Sequence, residues 1–238
     1  MSESMSPLAP AVVETLKGVS TATITTILLK KGMRNVWIRN SRPLHGGGPR
    51  IVGRAFTLRF IPAREDLATP AAWSSPRSTR AAVENMPEGS IVVVDAGFHT
   101  DSGIFGDILC ARMAYRGVAG LVTDGVIRDI NGVLSTGLPT WSQGTAAPAS
   151  ASGMIFANWQ EPIGCGGVAI YPGDVIVADD DGAVVIPEAY LDEVMAAGPE
   201  QERLETWIMQ QVKKGAELPG LYPANEANLA RYRGETGG

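Results

Sequence analysis

The chain has 238 residues, of which 45% are hydrophobic and 19% are charged, and its formal net charge is −5 with a pI near 5.1. This composition is typical of a globular protein and excludes a disordered chain. The acidic balance argues against a broad nucleic-acid-binding surface, which needs a basic stripe. We therefore expect no nucleic-acid partner, whereas a small anionic ligand would need only a local cation.

Cysteine usage and hydropathy narrow the class of protein further. Cys110 and Cys165 are the only cysteines, and they form no CxxC or zinc-ligand pattern, so we expect both to be small core residues. The N-terminal MSESMSPLAP has no charged region followed by an apolar run, and no stretch approaches the roughly 18 apolar residues of a membrane span. The sequence thus predicts no membrane partner and a cytoplasmic location.

Two short helices are predicted near the N-terminus, over residues 7–18 and 20–31, because apolar residues recur at helical spacing and Ser20 can cap the second helix. The segment RIVGRAFTLRFIP then alternates as a strand. Between Ala63 and Pro87 the chain is turn-rich, so we expect a lid-like loop with one helix around Ser78–Asn85.

The centre of the chain alternates between apolar strands and loops. SIVVVDAG is the clearest buried strand, because it is a continuous β-branched run that ends in a turn at Gly97. The loop FHTDSGIF follows and places His99 close in sequence to a helix that starts at Gly106. His99 could contact a substrate, although a loop histidine is more often a surface residue. AGLVTDG is predicted to be a second buried strand.

The last third of the chain is predicted to be a β-rich stretch followed by a helix. Short strands between Met154 and Pro187 suggest a sheet stacked on the first one, with a hairpin turn at Asp181-Gly182. A long helix is expected from Pro187 to Lys214. The tail LPGLYPANEANLARYR is expected to cover a neighbouring subunit or to act as a lid.

The segment from Gly106 to Asp129 carries the strongest functional signal. Asp107 lies at a predicted helix start, where free N–H groups and the macrodipole favour an anion. Arg128 and Asp129 emerge beyond the carboxyl end of a strand, where open α/β sheets place their sites. A guanidinium grips carboxylate oxygens, and a carboxylate beside it can hold a divalent cation. The pattern predicts an anion-plus-metal site; the alternative is a helix cap and a surface ion pair.

This pattern resembles the RraA-like family, which includes the regulator of ribonuclease activity A and the 4-hydroxy-4-methyl-2-oxoglutarate aldolases. The resemblance rests on a glycine and an acidic residue, about twenty intervening positions, and then Arg-Asp. It extends through VGRAFTLRFIPAREDL and PIGCGGVAIYPGDVIVADDDGAVVIP and covers roughly residues 10–220. It implies an α/β protein with a swivelling β/β/α fold and a single domain over 1–238, with N-terminal helices at about 7–31 and a C-terminal helix and tail at about 187–238.

The resemblance also implies roles for the site residues. The residue matching Asp129 would organise a Mg²⁺ or Mn²⁺ ion, and the one matching Arg128 would bind a 2-oxo acid. The backbone amides of Gly106, Asp107, Ile108 and Leu109 would hold the carboxylate of that acid, and Asp107 would position a metal-linked water. Active sites would lie between the subunits of a homotrimer or homohexamer.

Two further features of the resemblance concern the terminal helices. Family members bring a glutamate from a neighbouring subunit's C-terminal helix to the waters around the metal; Glu205 is the best match and Glu202 the alternative. The two glutamates could instead form a solvated charged stripe, since they are three residues apart on one helix face. Many relatives also have an Asp in the first conserved helix, where this chain has Thr26, and this departure bears on the substrate range.

Three functions are compatible with this sequence. The leading hypothesis is a metal-dependent lyase that performs retro-aldol cleavage of a 2-oxo acid or decarboxylation of an oxaloacetate-like substrate. Both reactions leave a pyruvate enolate, whose charge a metal ion stabilises as a Lewis acid. The first alternative is a dehydratase or isomerase of a sugar acid that uses the same residues. The second is a non-catalytic regulator that binds a ribonuclease through protein contacts.

Overall fold

A computed structural model describes residues 6–237 of the chain. Residues 1–5 and 238 lie outside this range, so the ends of the predicted domain 1–238 and the first half of the N-terminal segment MSESMSPLAP are not among the described residues. The helices are α1 (Pro10–Lys17), α2 (Thr21–Lys30), α3 (Thr79–Glu84), α4 (Asp107–Tyr115), α5 (Ile130–Ser135), α6 (Leu191–Lys213) and α7 (Glu226–Thr236). The strands are β1 (Trp37–Ile38), β2 (Arg42–Pro43), β3 (Ile51–Pro62), β4 (Ile91–Asp95), β5 (Gly120–Thr123), β6 (Val126–Ile127), β7 (Thr140–Ser142), β8 (Gly144–Thr145), β9 (Met154–Trp159), β10 (Val175–Asp179) and β11 (Gly182–Ile186).

One nine-stranded sheet organises the described chain. Its strands run in the order β1-β11-β10-β3-β4-β5-β7-β2, and β9 also pairs with β3. The neighbours β3, β4, β5 and β7 are parallel, so their carboxyl ends meet at the same edge of the sheet. This edge is where open α/β sheets place their ligands, and the loops that follow β4 and β5 both start there.

The prediction that the β-rich stretch forms a second, stacked sheet is wrong, because its strands belong to the same nine-stranded sheet. Strand β3 is twelve residues long, and β10 pairs with its first part while β4 and β9 pair with its later part. The stretch therefore continues the same sheet through β3. Apolar side chains of β10 and β11 nevertheless pack with those of β4 and β5 in a common core cluster. The predicted hairpin is present and joins β10, which ends at Asp179, to β11, which begins at Gly182.

The predicted N-terminal helices are present as α1 and α2. Ser20 caps α2, because its hydroxyl accepts a hydrogen bond from the Thr23 N–H at 3.1 Å. Leu16, Ile24 and Leu28 are fully buried and belong to a cluster that also contains β10, β11 and α6 side chains. Among the described residues, no single helix is long and apolar enough to cross a membrane; α1 and α2 meet that length and composition only as a pair bent by 100°.

Two carboxylates from distant parts of the chain bind the start of α2. Glu202 accepts the N–H of Ser20 at 2.7 Å, and Asp179 accepts both the N–H of Thr21 at 2.9 Å and its hydroxyl at 2.7 Å. Burial alone would raise the pKa of Asp179, but the hydrogen bonds from Thr21, from the Asp181 amide and from Arg50 outweigh it and lower the pKa below its usual value. Asp179 thus links the start of α2 to β10, and Glu202 links it to α6.

We expect Asp179→Asn to destabilise the protein by about 2 kcal/mol at pH 7, because charge-assisted hydrogen bonds are lost at a side chain that is only 14% exposed. A folded-state pKa below the unfolded one gives stability that is present above about pH 4 and is lost as the pH falls through the folded pKa. Urea unfolding of wild type and variant should therefore differ at pH 7, and the difference should shrink at about pH 3, below the unfolded-state pKa. A difference that is the same at both pH values would contradict this assignment.

The turn-rich stretch between β3 and β4 has the predicted helix, α3, which Ser78 caps by accepting the Ala81 N–H at 3.2 Å. A short 3₁₀ helix at Pro70–Ser74 precedes it. The C-terminal tail contains helix α7. Helix α7 packs on α6 of its own chain through Trp207 and Tyr232, and Trp207 donates to Glu235 at 2.8 Å. Leu221 and Tyr232 of the tail are buried within the chain, whereas Leu218 and Tyr222 are exposed, and a contact of the tail with a neighbouring subunit stays a prediction.

Candidate metal and anion site

The helix start predicted at Gly106 is present. Asp107 is the first residue of α4, and Gly106 precedes it in an extended conformation with φ −124°. Asp107 Oδ1 accepts a hydrogen bond from the N–H of Ile108 at 2.7 Å. One of the four predicted carboxylate-binding amides is therefore already bound to a side chain of its own helix. The other free N–H groups of the first turn still point out of the helix end and favour an anion.

The chain before α4 lies side by side with the segment that ends in Arg128. The N–H of Ile104 donates to the Val126 carbonyl at 3.0 Å, and the N–H of Arg128 donates to the Phe105 carbonyl at 2.9 Å. A Cβ atom at Gly103 would lie 2.7 Å from Arg128 Cβ, which is closer than packed carbons can approach. The absence of a side chain at Gly103 therefore allows the two segments to meet.

The same close approach joins Gly106 to Asp129. A Cβ atom at Gly106 would lie 2.7 Å from Asp129 Oδ2 and 3.3 Å from Arg128 Cγ. Arg128 Nε donates to Asp129 Oδ2 at 3.0 Å, and the two side chains are 36% and 43% exposed, so both are accessible to a ligand. Asp129 adopts a left-handed conformation with φ 56° at the start of α5 and does not cap that helix with its side chain. Left-handed non-glycine residues are concentrated at functional sites.

Asp107 also packs against α5. A Cβ atom at Gly132 would lie 2.6 Å from Asp107 Cβ and 2.7 Å from its Oδ2. The structure thus brings Gly106, Asp107, Arg128 and Asp129 together at the meeting of α4 and α5, beyond the carboxyl end of β5. Their roles in binding and catalysis remain predictions.

The two candidate glutamates of α6 have different surroundings. Glu202 binds the start of α2 through the Ser20 N–H, whereas Glu205 accepts only a hydrogen bond from Gln201 on its own helix, at 2.8 Å. Among the described residues of one chain, no hydrogen bond or ion pair links either glutamate to Asp107, Arg128 or Asp129. Of the two, Glu205 is the one whose carboxylate is not engaged in holding the fold together.

Sequence reasoning did not single out Asp124, which lies in the segment AGLVTDG directly after β5. The side chain is fully buried, and its two oxygens accept the N–H of Ala96 at 2.8 Å and the N–H of Gly166 at 3.0 Å. Burial raises the pKa of Asp124 despite these hydrogen bonds. Asp124 joins the loop after β4 to the loop at Gly166. Its signal in the sequence is a charged residue that directly follows the mostly apolar segment AGLVT.

The cysteines are core residues, as predicted. Both are buried and free in the structure. Burial raises the pKa of Cys110 to about 12, and burial raises the pKa of Cys165 well above its usual value. Neither thiol is therefore a thiolate near neutral pH, and a thiol nucleophile is not supported.

The site offers carboxylate ligands to a divalent cation. Among the described residues, no group of three or more His, Cys, Asp or Glu side chains could hold a metal ion within one chain. Magnesium needs only one or two carboxylates, because it keeps several of its waters. The accessible carboxylate of Asp129, with Asp107 close by, fits an ion of that kind.

The comparisons with known proteins decide the family. The family model described as RraA-like, Aldolase/RraA, matches residues 21–185. The chain belongs to the RraA-like family. A solved structure of the RraA-like protein RraAS2 of Streptomyces coelicolor, described as an unusual member of the RNase ES inhibitor RraA protein family, is 34% identical with a TM-score of 0.76. The match covers 84% of this chain and 96% of that one. The predicted RraA-like fold is thereby confirmed.

Two curated relatives are also similar to this chain. A protein of Halalkalibacterium halodurans, named as a candidate 4-hydroxy-4-methyl-2-oxoglutarate aldolase, is 37% identical over 61% of this chain and 64% of its own length. Protein DlpA of Legionella pneumophila is 32% identical over 68% of this chain. The matched part spans only 26% of DlpA and less than two thirds of the aldolase relative. One of these two relatives is named for an aldolase activity, and the name DlpA states no activity.

Proposed function

We propose that this protein is a divalent-metal-dependent lyase that acts on a 2-oxo acid. The reaction is retro-aldol cleavage of a substrate like 4-hydroxy-4-methyl-2-oxoglutarate, decarboxylation of oxaloacetate, or both. The observation that carries the proposal is the approach of Gly106 to Asp129, where a Cβ atom would lie 2.7 Å from Oδ2. It sets an anion-favouring helix start beside a carboxylate and a guanidinium.

In this proposal, each group of the site has one task. The amides of the first turn of α4, from Gly106 to Leu109, hold the carboxylate of the substrate, as helix starts do for anions. The Arg128 guanidinium neutralises the negative charge that develops on the substrate when its carbon–carbon bond breaks. Asp107, packed against Gly132, is held in a fixed position from which it moves a proton through water.

Asp129 would hold the Mg²⁺ or Mn²⁺ ion, with Asp107 and Glu205 contributing through water. When bound, such an ion supplies Lewis-acid stabilisation of the anionic intermediate. Arg128 Nε already occupies one side of Asp129 Oδ2, so the guanidinium and the ion would share this carboxylate. Two positive charges would thus lie close to the developing negative charge.

Glu205 would come from a neighbouring subunit of a homotrimer or homohexamer. Exposed apolar side chains beside the site support an interface there: Ile108 and Tyr115 on α4 are 80% and 82% exposed, and Leu134 on α5 is 43% exposed. Contiguous apolar surface on a folded domain marks interaction sites. A cytoplasmic location remains part of the proposal.

Pyruvate release tests the proposed reaction. Purified protein with Mg²⁺ or Mn²⁺ is expected to release pyruvate from 4-hydroxy-4-methyl-2-oxoglutarate or oxaloacetate. We expect Asp129→Ala and Arg128→Ala to lower kcat/KM by about 100-fold or more, since each removes charge at the reacting centre. Arg203→Ala removes an exposed arginine on α6 and should leave the rate unchanged. If wild type leaves both oxo acids untouched, the lyase proposal fails, and a panel of aldonic acids would then test sugar-acid dehydration.

A second candidate function is regulation of a ribonuclease. The observation that favours it is the 34% identity to a solved protein whose description places it among RNase ES inhibitors. Under this function, purified protein should retain a ribonuclease in a pull-down and lower its cleavage rate, and Asp129→Ala should do so equally well. The two functions therefore respond differently to the same variant.

A further inference from the structure

A separate cleft lies at the carboxyl ends of β3 and β4. Its volume is about 240 Å³, and its walls are Arg59, Phe60, Ile61, Pro62, Asp95, Ala96, Gly97, His99 and Met154. Its walls combine apolar residues with one arginine, one aspartate and one histidine. Arg128, Asp129 and Asp107 are not among its walls. The cleft nevertheless opens at the edge of the sheet where ligands of α/β proteins bind.

Arg59 has hydrogen-bonding capacity to spare in this cleft. Its nearest carboxylate is Asp95, but the Nε to Oδ2 distance is 3.8 Å, longer than a hydrogen bond. Both Asp95 oxygens are already used by backbone groups: Oδ1 accepts the Gly97 N–H at 3.0 Å and Oδ2 accepts the Gly164 N–H at 3.2 Å. Arg59 is 51% exposed and offers a planar fork of donors that suits a carboxylate.

The loop that closes the other side is held in a strained shape. Gly97 and Phe98 both have left-handed backbones, with φ 58° and 60°. The Ala96 and Phe98 N–H groups turn inward to the buried Asp124 carboxylate. A left-handed phenylalanine costs free energy and persists only where the surroundings fix it, which is typical of binding sites. Here the buried carboxylate fixes it and so presents His99 to the cleft.

The orientation of His99 is also fixed. Its Nε2 lies 2.9 Å from Ser102 Oγ, and a Cβ atom at Gly153 would lie 2.7 Å from that nitrogen. With Nε2 engaged inside the protein, the ring has its other nitrogen for a ligand. On the opposite wall, the register of β3 against β9 shifts between Arg59 and Phe60, and such bulges redirect side chains next to sites.

We propose that this cleft binds a short branched-chain carboxylate, with Arg59 and His99 on the carboxylate and Phe60, Ile61 and Met154 around the alkyl chain. The charged fork and the fixed imidazole recognise the anion, and the apolar residues of the cleft contact a short alkyl group. The site is distinct from the pocket of the proposed lyase and does not depend on that function.

Isovalerate serves as the probe, and a ligand-observed NMR titration measures its binding to the full chain. Wild type is expected to show saturable binding, and the uncharged isovaleramide is expected to bind at least about tenfold more weakly, since charge-assisted hydrogen bonds are lost. Arg59→Gln should weaken isovalerate binding by about tenfold or more, whereas Arg59→Lys, which keeps the charge, should weaken it less. Arg203→Gln is the matched control for loss of a surface arginine.

Comparison with the Arg128→Gln variant shows which of the two sites binds isovalerate. Binding that survives in Arg128→Gln and falls in Arg59→Gln assigns isovalerate to the cleft. The proposal is overturned if wild type shows no saturable binding, if Arg59→Gln binds as wild type does, or if Arg128→Gln rather than Arg59→Gln loses the ligand. Thermal unfolding of each variant verifies that the chain is folded, and none of these readouts involves turnover.

Discussion

Replacing Gly106 by alanine is expected to lower pyruvate release by about 100-fold or more while leaving the fold intact. The new Cβ would lie 2.7 Å from Asp129 Oδ2 and 3.3 Å from Arg128 Cγ, so both side chains must move away from the helix start. The backbone needs no change, because φ −124° is open to alanine. Displacement of a catalytic group by about 1 Å is enough for a loss of this size.

The matched control is Gly234→Ala, a glycine-to-alanine change on α7 where the new Cβ meets nothing within 4 Å. It should retain wild-type turnover. Thermal unfolding of both variants separates displacement of the site from loss of structure, since the atoms that must yield at Gly106 are the ends of flexible side chains. Full activity in Gly106→Ala would show that the Asp129 carboxylate is not needed where the structure places it.

Replacing Asp124 by alanine is expected to cost about 3–5 kcal/mol of unfolding free energy, of which each unpaired buried N–H contributes about 1–3 kcal/mol. The N–H groups of Ala96 and Gly166 would lose their acceptor in a region closed to water. Because this carboxylate shapes the loop ahead of Gly106, turnover should also fall in the fraction that stays folded. Urea unfolding at pH 7 measures the free energy.

Asp66→Ala provides the comparison for Asp124→Ala. Asp66 is 63% exposed and pairs with Arg64 at the surface, so its removal should cost less than about 0.5 kcal/mol. A cost for Asp124→Ala no larger than that of Asp66→Ala would mean that the two loops keep their shape without the buried carboxylate. Asp124 would then not be the residue that holds the loops around the site and the cleft in place.

Much of the fold follows from local sequence. The β-branched run of β4 and the apolar run of β5 have no polar face, so a fully buried parallel strand is the structure that suits them. Ser20 and Ser78 lie at helix starts, where their hydroxyls accept hydrogen bonds from backbone N–H groups that have no partner within the helix. The predicted cap at Ser20 and the predicted helix at Ser78 are both present. These features depend on neighbours within a few residues, which the sequence displays directly.

Features that depend on distant partners could not be predicted in this way. Strand β3 accommodates β10 along its first part and β9 along its later part, and no local pattern specifies which strands pair with it. The burial of the tail on α6 depends on the contact of Trp207 with Tyr232, twenty-five positions along the chain. The role of Asp124 could not be predicted because the amides that donate to its carboxylate, those of Ala96 and Gly166, lie in two other loops.

The candidate site could be predicted from the sequence in part. The Gly-Asp and Arg-Asp pairs were visible as motifs, and their placement at a helix start and beyond a strand end suggested that they meet. The sequence did not show how: glycines at 103, 106 and 132 allow the segments to approach until side chains touch backbone. It also did not show that the Ile108 amide is bound by Asp107, which leaves fewer amides for a ligand.

The most direct measurement is anomalous diffraction from crystals of the protein with Mn²⁺ and pyruvate. We predict a manganese peak at the Asp129 carboxylate, with the pyruvate carboxylate at the first turn of α4 and Arg128 beside the keto oxygen. A manganese peak elsewhere, or pyruvate bound away from α4 while Asp129 remains paired only with Arg128, would contradict the proposal that these residues form one site.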